Sequence, residues 1–190
     1  MPGFRFDTLI GTVAARNLNE LVVQGATLVR QDGEAVYAGG DIEIQLGSGT
    51  EVTQDGGTAT PLGIDAVSVG QRIHAFGEAS SSDFDPTLDA TSGRVRLYPT
   101  RLTGFVTGTA TRELRLELVS IDGRDPQFFD FDGTGTSLIT QADPQNYQVG
   151  TDNRDLGDFD TDEGAEVFGF VTPFGSAPPD FDSTSIANFD

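Results

Sequence analysis

The residues best suited to chemistry form one acidic run, Asp158-Phe159-Asp160-Thr161-Asp162-Glu163-Gly164. Carboxylates at its first, third and fifth positions can gather hard oxygens around one point, and Ca2+ takes roughly six to eight such ligands. Asp152 and Asp155 lie just upstream, so the candidate ligand set is Asp152, Asp155, Asp158, Asp160 and Asp162. The spacing departs from an EF-hand loop. Glu163 stands sixth, where that loop needs Gly, and Gly169 stands twelfth, where it needs a bidentate carboxylate. The competing reading is a solvated acidic loop leading into a strand, as charge runs commonly are.

Other candidates are weaker. Asp130-Phe131-Asp132-Gly133 reads as a strand entering a turn, with its Asp residues outward. Two polar loops, 80–86 and 177–182, share the string Asp-Phe-Asp, and Phe84 is either an exposed contact for a partner or a cap over a barrel end. His74, the sole His, alternates with Arg72 and Phe76 and so points away from Ile73 and Ala75. One His supports neither a multi-His metal site nor a convincing Ser–His–Asp arrangement. Without Cys there is no disulfide framework, thiol nucleophile, Cys-ligated zinc or iron–sulfur cluster. Thirty acids guarantee some close carboxylate pairs in any fold, so their abundance does not indicate a glycosidase. Sugar platforms would draw on Trp or Tyr, and the chain has no Trp and three Tyr. A single-strand nucleic-acid groove needs basic residues with aromatic platforms, and the Arg are scattered along the sequence. No enzyme activity is expected, and no cofactor beyond a possible Ca2+.

The overall balance points the same way. The 190 residues carry 30 acids against 11 Arg and no Lys, a net charge of -19 that repels phosphate backbones and anionic membranes alike. Absence of Lys beside 21 Asp suggests adaptation to salt. No stretch approaches the ~18 apolar residues of a membrane-spanning helix, so no membrane insertion is expected. The start, Met1 to Asp7, lacks the basic and apolar regions of a signal peptide, which leaves a cytosolic protein or a piece of a longer exported chain.

The elements that must position these residues are strands. Leu114-Arg115-Leu116-Glu117-Leu118 and Ile42-Glu43-Ile44-Gln45-Leu46 alternate strictly, placing apolar residues on one sheet face. Further strands are predicted at 8–15, 20–29, 35–38, 72–78, 93–98, 101–108, 127–132, 137–140, 165–171 and 185–189. Asp32-Gly33, Gly39-Gly40, Asp55-Gly56-Gly57, Asp122-Gly123 and Asp132-Gly133 mark turns. Short strands at this spacing read as barrels or sandwiches.

The chain also repeats itself. Leu9-Ile10-Gly11-Thr12-Val13 recurs as Leu102-Thr103-Gly104-Phe105-Val106, and Glu20-Leu21-Val22-Val23 as Glu113-Leu114-Arg115-Leu116, both at an offset of 93. The segment 69–76 matches 163–170 at 94, which puts Phe168 at the place of His74, and 88–92 matches 181–185 at 93. Two copies are therefore predicted, 7–100 and 101–190, with net charges of -7 and -12. A Gly inside each opening strand suits the bend or bulge by which a small barrel turns a corner. The expected fold is all-β, two tandem small OB-like β-barrels, with β-sandwiches as the alternative. Tyr98-Pro99-Thr100 joins the copies without a flexible linker. The chain begins as though an earlier unit could precede it and ends where another opening strand would follow, which is the expectation for an excised module.

The run Val67 to Glu78, then Leu88-Asp89-Ala90-Thr91, then Leu102-Thr103-Gly104-Phe105-Val106, resembles a bacterial domain family of OB-like β repeats, of unassigned function, found in exported proteins and lipoproteins. Its pattern is roughly hydrophobic-x-x-Gly-x-x-Val-x-Val-x-Gly, a gap, then Leu-x-Ala-x-x-Val. The second copy departs from it, with Val171 where Gly would follow the strand and Ser183 in place of Ala. The resemblance implies an extracytoplasmic β module and supplies no catalytic residues. A non-enzymatic structural or interaction module of a larger exported protein is expected, with a protein or cell-surface partner and no nucleic acid. The alternative is a Ca2+-binding or cation-stabilised module using the 152–163 loop.

Overall fold

The computed structural model describes residues 6–57, 60–82 and 85–189, and the strands form two closed five-stranded barrels. Phe84 lies outside the described residues. The chain divides into two compact units, one running to Val67 and including Arg72–Tyr98, the other comprising Ser68–Gln71 and the chain from Pro99 onward.

The first barrel is built from β1 (Asp7–Asn17), β2 (Glu20–Val29), β3 (Ala35–Gln45), β5 (Arg72–Ala79) and β6 (Thr87–Tyr98). Its order is β3-β2-β1-β5-β6, closed by a parallel pairing of β3 with β6, while the short β4 (Glu51–Gln54) adds parallel to β6 outside the ring. The second barrel uses β7 (Thr100–Ala110), β8 (Glu113–Ile121), β9 (Tyr147–Gly150), β10 (Gly164–Val171) and β11 (Phe181–Phe189). It closes as β10-β11-β9-β8-β7, with β9 and β11 parallel. Each is thus a three-strand meander, a fourth strand returning to the first, and a fifth lodged between fourth and third. That is the OB-like arrangement, and ring closure excludes the sandwich.

Alternation makes these strands. Leu21 and Val23 of β2 and Ile42 and Ile44 of β3 are at most 1 % exposed, whereas the intervening Glu43 faces solvent. In the second barrel Leu114, Leu116, Tyr147, Val149 and Phe181 are wholly buried. The opening-strand glycines act as expected. A Cβ at Gly11 would lie 2.5 Å from Val23 Cγ1, and one at Gly104 would lie 2.5 Å from Glu117 O, each beside a register shift.

Pairing also corrects the alignment of the copies. β1 and β2 map onto β7 and β8 at the offset of 93 read from the sequence. Leu9 pairs with Ala75 and Leu102 with Val167, so β5 maps onto β10 at an offset of 92 rather than 94. Glu166, not Phe168, therefore stands where His74 stands. Gly169 fills the place of Gly77, so the glycine absent from the aligned pattern is present after all. A Cβ at Gly77 would overlap Asp89 O and one at Gly169 would overlap Asp182 O.

Two predicted strands are not strands. In 127–132, the Asp125 side chain accepts the Gln127 N–H at 2.9 Å and opens a 3-10 turn over Pro126–Phe128. Phe129 and Phe131 do alternate inward, with Phe131 6.1 Å from Tyr147, but Asp130 takes the Asp132 N–H and no neighbouring strand is paired. In 137–140 the Thr140 hydroxyl captures the Ser137 N–H, which leaves Leu138 and Ile139 88 % and 95 % exposed on a turn. Gly39-Gly40 lies within β3 rather than at a turn, where Gly40 marks a register irregularity against β2. Strands β4 and β9, four residues each, were too short to show a period.

Candidate functional site

The acidic segment becomes the loop between β9 and β10. Asp152, Asp155, Asp158, Asp160 and Asp162 are all exposed. The Asp155 carboxylate accepts the Gly157 N–H at 3.0 Å, and Glu163 accepts both the Asp160 N–H at 3.0 Å and Asn188 Nδ2 at 2.9 Å. The Asp162 N–H donates to Val106 O at 2.8 Å, tying the loop to β7. Among the described residues no group of three or more His, Asp or Glu is placed to hold a metal ion.

The most perturbed carboxyl lies elsewhere in this barrel. Asp180 is 3 % exposed, and its side chain accepts the Gln148 N–H at 2.8 Å while its own N–H donates to Gln148 O at 2.8 Å. Burial, with Asp143 and Glu113 adding negative charge, pushes its pKa up to about 6 against the opposing Gln148 hydrogen bond. Tyr147, wholly buried beside it, has its hydroxyl pushed well up by burial and by Asp180. The pair anchors the start of β9 to the β10–β11 connection. Phe181, in the second Asp-Phe-Asp string, is core.

The first barrel carries the more distinctive surface. On the outward side of β1, β5 and β6, cross-strand pairing sets Ile10, His74 and Arg96 in one row, Thr12, Arg72 and Tyr98 in a second, and Thr8, Phe76 and Arg94 in a third. The His74 and Phe76 rings lie 4.2 Å apart, and Arg96 sits 5.4 Å from the centre of the Tyr98 ring, a cation–π distance. Arg94 and Arg96 remain 56 % and 46 % exposed, with Glu51 and Asp55 of the β4 side as ion-pair partners. Burial first, and Arg96 second, lower the His74 pKa, so His74 is neutral at pH 7 and the face owes its positive charge to Arg. The His74 Nε2 is buried without a hydrogen-bond partner.

Arginines scattered in the sequence are therefore gathered in space. Arg72, His74 and Phe76 alternate on one strand, as do Arg94, Arg96 and Tyr98 on another, so each half of the face is legible as period-2 patterning. What the sequence does not contain is the register that lays one half beside the other.

Next to this face is a cleft of about 570 Å3, lined by Phe6, Thr8, Val29, Arg30, Phe76 and Arg94 among others. Clefts of roughly 300–1,000 Å3 are the usual size for ligand sites. Further clefts are lined by Glu43 and Asp89 and by Arg112 and Arg154. The chain matches no protein-family model, no curated protein and no solved structure.

Proposed function

We propose that this chain is a non-enzymatic interaction module of a larger exported bacterial protein, that it works outside the cytoplasm, and that it contacts an acidic protein or cell-surface partner through the arginine–aromatic face of the first barrel. The single observation behind this reading is that face: three Arg and three aromatic or imidazole rings on adjacent strands of a chain whose net charge is -19. Arg and Tyr are the side chains that most often carry interface energy. The resemblance to OB-like repeats of exported proteins supports the cellular setting. A long polyanion such as nucleic acid would meet the repulsive field of the whole chain, whereas a short acidic segment responds to the local arginines.

The test is an NMR titration of the 15N-labelled chain with an oligoglutamate peptide at low ionic strength. Shifts should concentrate at Arg72, His74, Phe76, Arg94, Arg96 and Tyr98 and should vanish in an Arg94→Gln/Arg96→Gln variant. Absence of shifts on this face, or equal shifts on the corresponding face of the second barrel, would reject the reading.

A further inference from the structure

The cleft has a floor laid out in one line. Pairing places Val29 beside Thr8, Thr8 beside Phe76, Phe76 beside Arg94, and Arg94 beside Glu51, so the row crosses β2, β1, β5, β6 and β4 in turn. Five strands at ~4.8 Å spacing span roughly 19 Å, the length of about six residues of extended chain. The β2–β3 turn, with Arg30, Gln31 and Gly33, walls one side, and Ser92 and Gly93 wall another.

The second wall is a feature of the first barrel alone. Between the pairs Phe76–Arg94 and Glu78–Asp89, β6 sets four residues, Ala90 to Gly93, against the single Gly77. Between Phe168–Ser185 and Phe170–Asp182, β11 sets only Ser183 and Thr184 against Gly169. The larger bulge packs its backbone onto β5, for a Cβ at Gly93 would overlap Phe76 O. Bulges of this kind re-aim side chains beside binding sites. Here the bulge comes immediately before Arg94, the residue that faces Glu51.

We infer that this cleft takes an extended acidic segment of a partner protein that carries an aromatic side chain between two carboxylates, an inference that rests on the contact-face reading above. Phe6, 36 % exposed, together with Phe76 and Val29 supplies the apolar surface for a ring. Arg94 supplies a guanidinium whose planar fork matches a carboxylate, and Arg30, which also donates to Ser80 O at 3.0 Å, brings a second guanidinium to the rim. Arg94 Nε and Nη2 both reach Glu51 Oε2 at 3.3 Å with both side chains about half exposed, a pair that an incoming carboxylate can displace at little cost.

The protein's own acidic run offers the probe: a fluorescein-labelled peptide of residues 156–163, Leu-Gly-Asp-Phe-Asp-Thr-Asp-Glu. Anisotropy titration with the full chain at low salt should show saturable binding, weakened about tenfold when the peptide's Phe159 is replaced by Ala, as expected for a buried aromatic anchor. Arg94→Gln and Phe76→Leu in the chain should each weaken it severalfold, and Phe168→Leu in the second barrel should not. Circular dichroism checks that each variant is folded, and Arg94→Gln alters only an exposed side chain. Oligoglutamate binding as tightly as the peptide, with no effect of the Phe159 replacement, would overturn the cleft inference and leave the contact face standing. Failure of every acidic peptide would overturn both. Tighter binding of oligothymidylate would overturn the inference in favour of a nucleic-acid site. Concentration-dependent dimerisation lost in Arg94→Gln would overturn the inference in favour of a second copy of the chain as the occupant.

Discussion

The two barrels share connectivity and opening-strand glycines, yet their corresponding outer faces differ in kind. Where the first has His74 and Arg96, the second has Glu166 and Ala187; where the first has Arg94, the second has Ser185. The second face keeps one arginine, Arg101, paired with Glu166 on the face itself, whereas Arg94 and Arg96 pair with acids of the β4 side. Their buried charges differ too. In the first barrel Arg16, with a side chain 2 % exposed, donates to Leu18 O at 2.7 Å and Ile64 O at 2.9 Å and pairs with Asp65 at 3.2 Å. The first barrel also buries Asp7, which accepts the Gln31 and Ala79 N–H groups, whereas among the described residues the charged side chain buried in the second is Asp180. The two barrels share what closes a ring and differ at outward positions, because outward residues do not decide ring closure.

The correspondence is easiest to break at its glycines. Gly77→Ala and Gly169→Ala each drive a Cβ into a backbone carbonyl, and each should cost ~2–3 kcal/mol or more in denaturant unfolding of its own barrel. A costly Gly77→Ala beside a harmless Gly169→Ala would show that the two positions are not equivalent.

Next in size are the buried charges. Arg16→Met keeps the apolar stem but strands the carbonyls of Leu18 and Ile64, so it should destabilise the first barrel by roughly 2–3 kcal/mol. Hydrogen exchange resolved by peptide should show the loss in β1 and at 64–67 and leave the second barrel unchanged.

Asp180 gives a pH signature confined to the second barrel. Its pKa is about 6 when folded, above the ordinary 3.8, so the native state holds the proton more tightly than the unfolded chain. The stability this contributes is fully present below about pH 4 and is lost as pH rises through 6. Asp180→Asn, which keeps an oxygen for the Gln148 N–H, should therefore gain on the wild type between pH 4.5 and 7.5, by on the order of 2 kcal/mol. A constant difference across that range, followed by Tyr147 fluorescence or exchange of β9, would contradict the assignment.

The smallest effect is ionic. Residues 101–190 carry a net -12 against -7 for residues 1–100. Self-repulsion eases as salt screens it, so added NaCl should stabilise the second barrel more than the first, by about 1 kcal/mol or less. Equal shifts in the two would place the repulsion in the surface as a whole rather than in the 152–163 loop.

Much of the fold was legible because barrel strands carry local information. The alternation at Ile42–Leu46 and Leu114–Leu118, the turn glycines and the offset of 93 all depend on neighbours a few residues apart. The failures came where side chains outbid a strand ladder for the backbone. Phe129 and Phe131 alternate like a strand but belong to a loop whose N–H groups bond to Asp125 and Asp130. In the 152–162 loop the sequence likewise did not reveal that Asp155 caps its own loop or that Asp162, at φ 73, donates its N–H to Val106 O.

By itself the sequence determined an all-β chain, its tandem repetition and its uneven acidity, since composition and period require no knowledge of which strand meets which. The tertiary structure alone decided the two-residue correction to the repeat, the burial of Asp180 against Gln148 and the joining of Arg72, His74 and Phe76 to Arg94, Arg96 and Tyr98. Each of these follows from pairing register between segments some twenty or more residues apart, and a shift of one residue would have turned every one of those side chains to the opposite face.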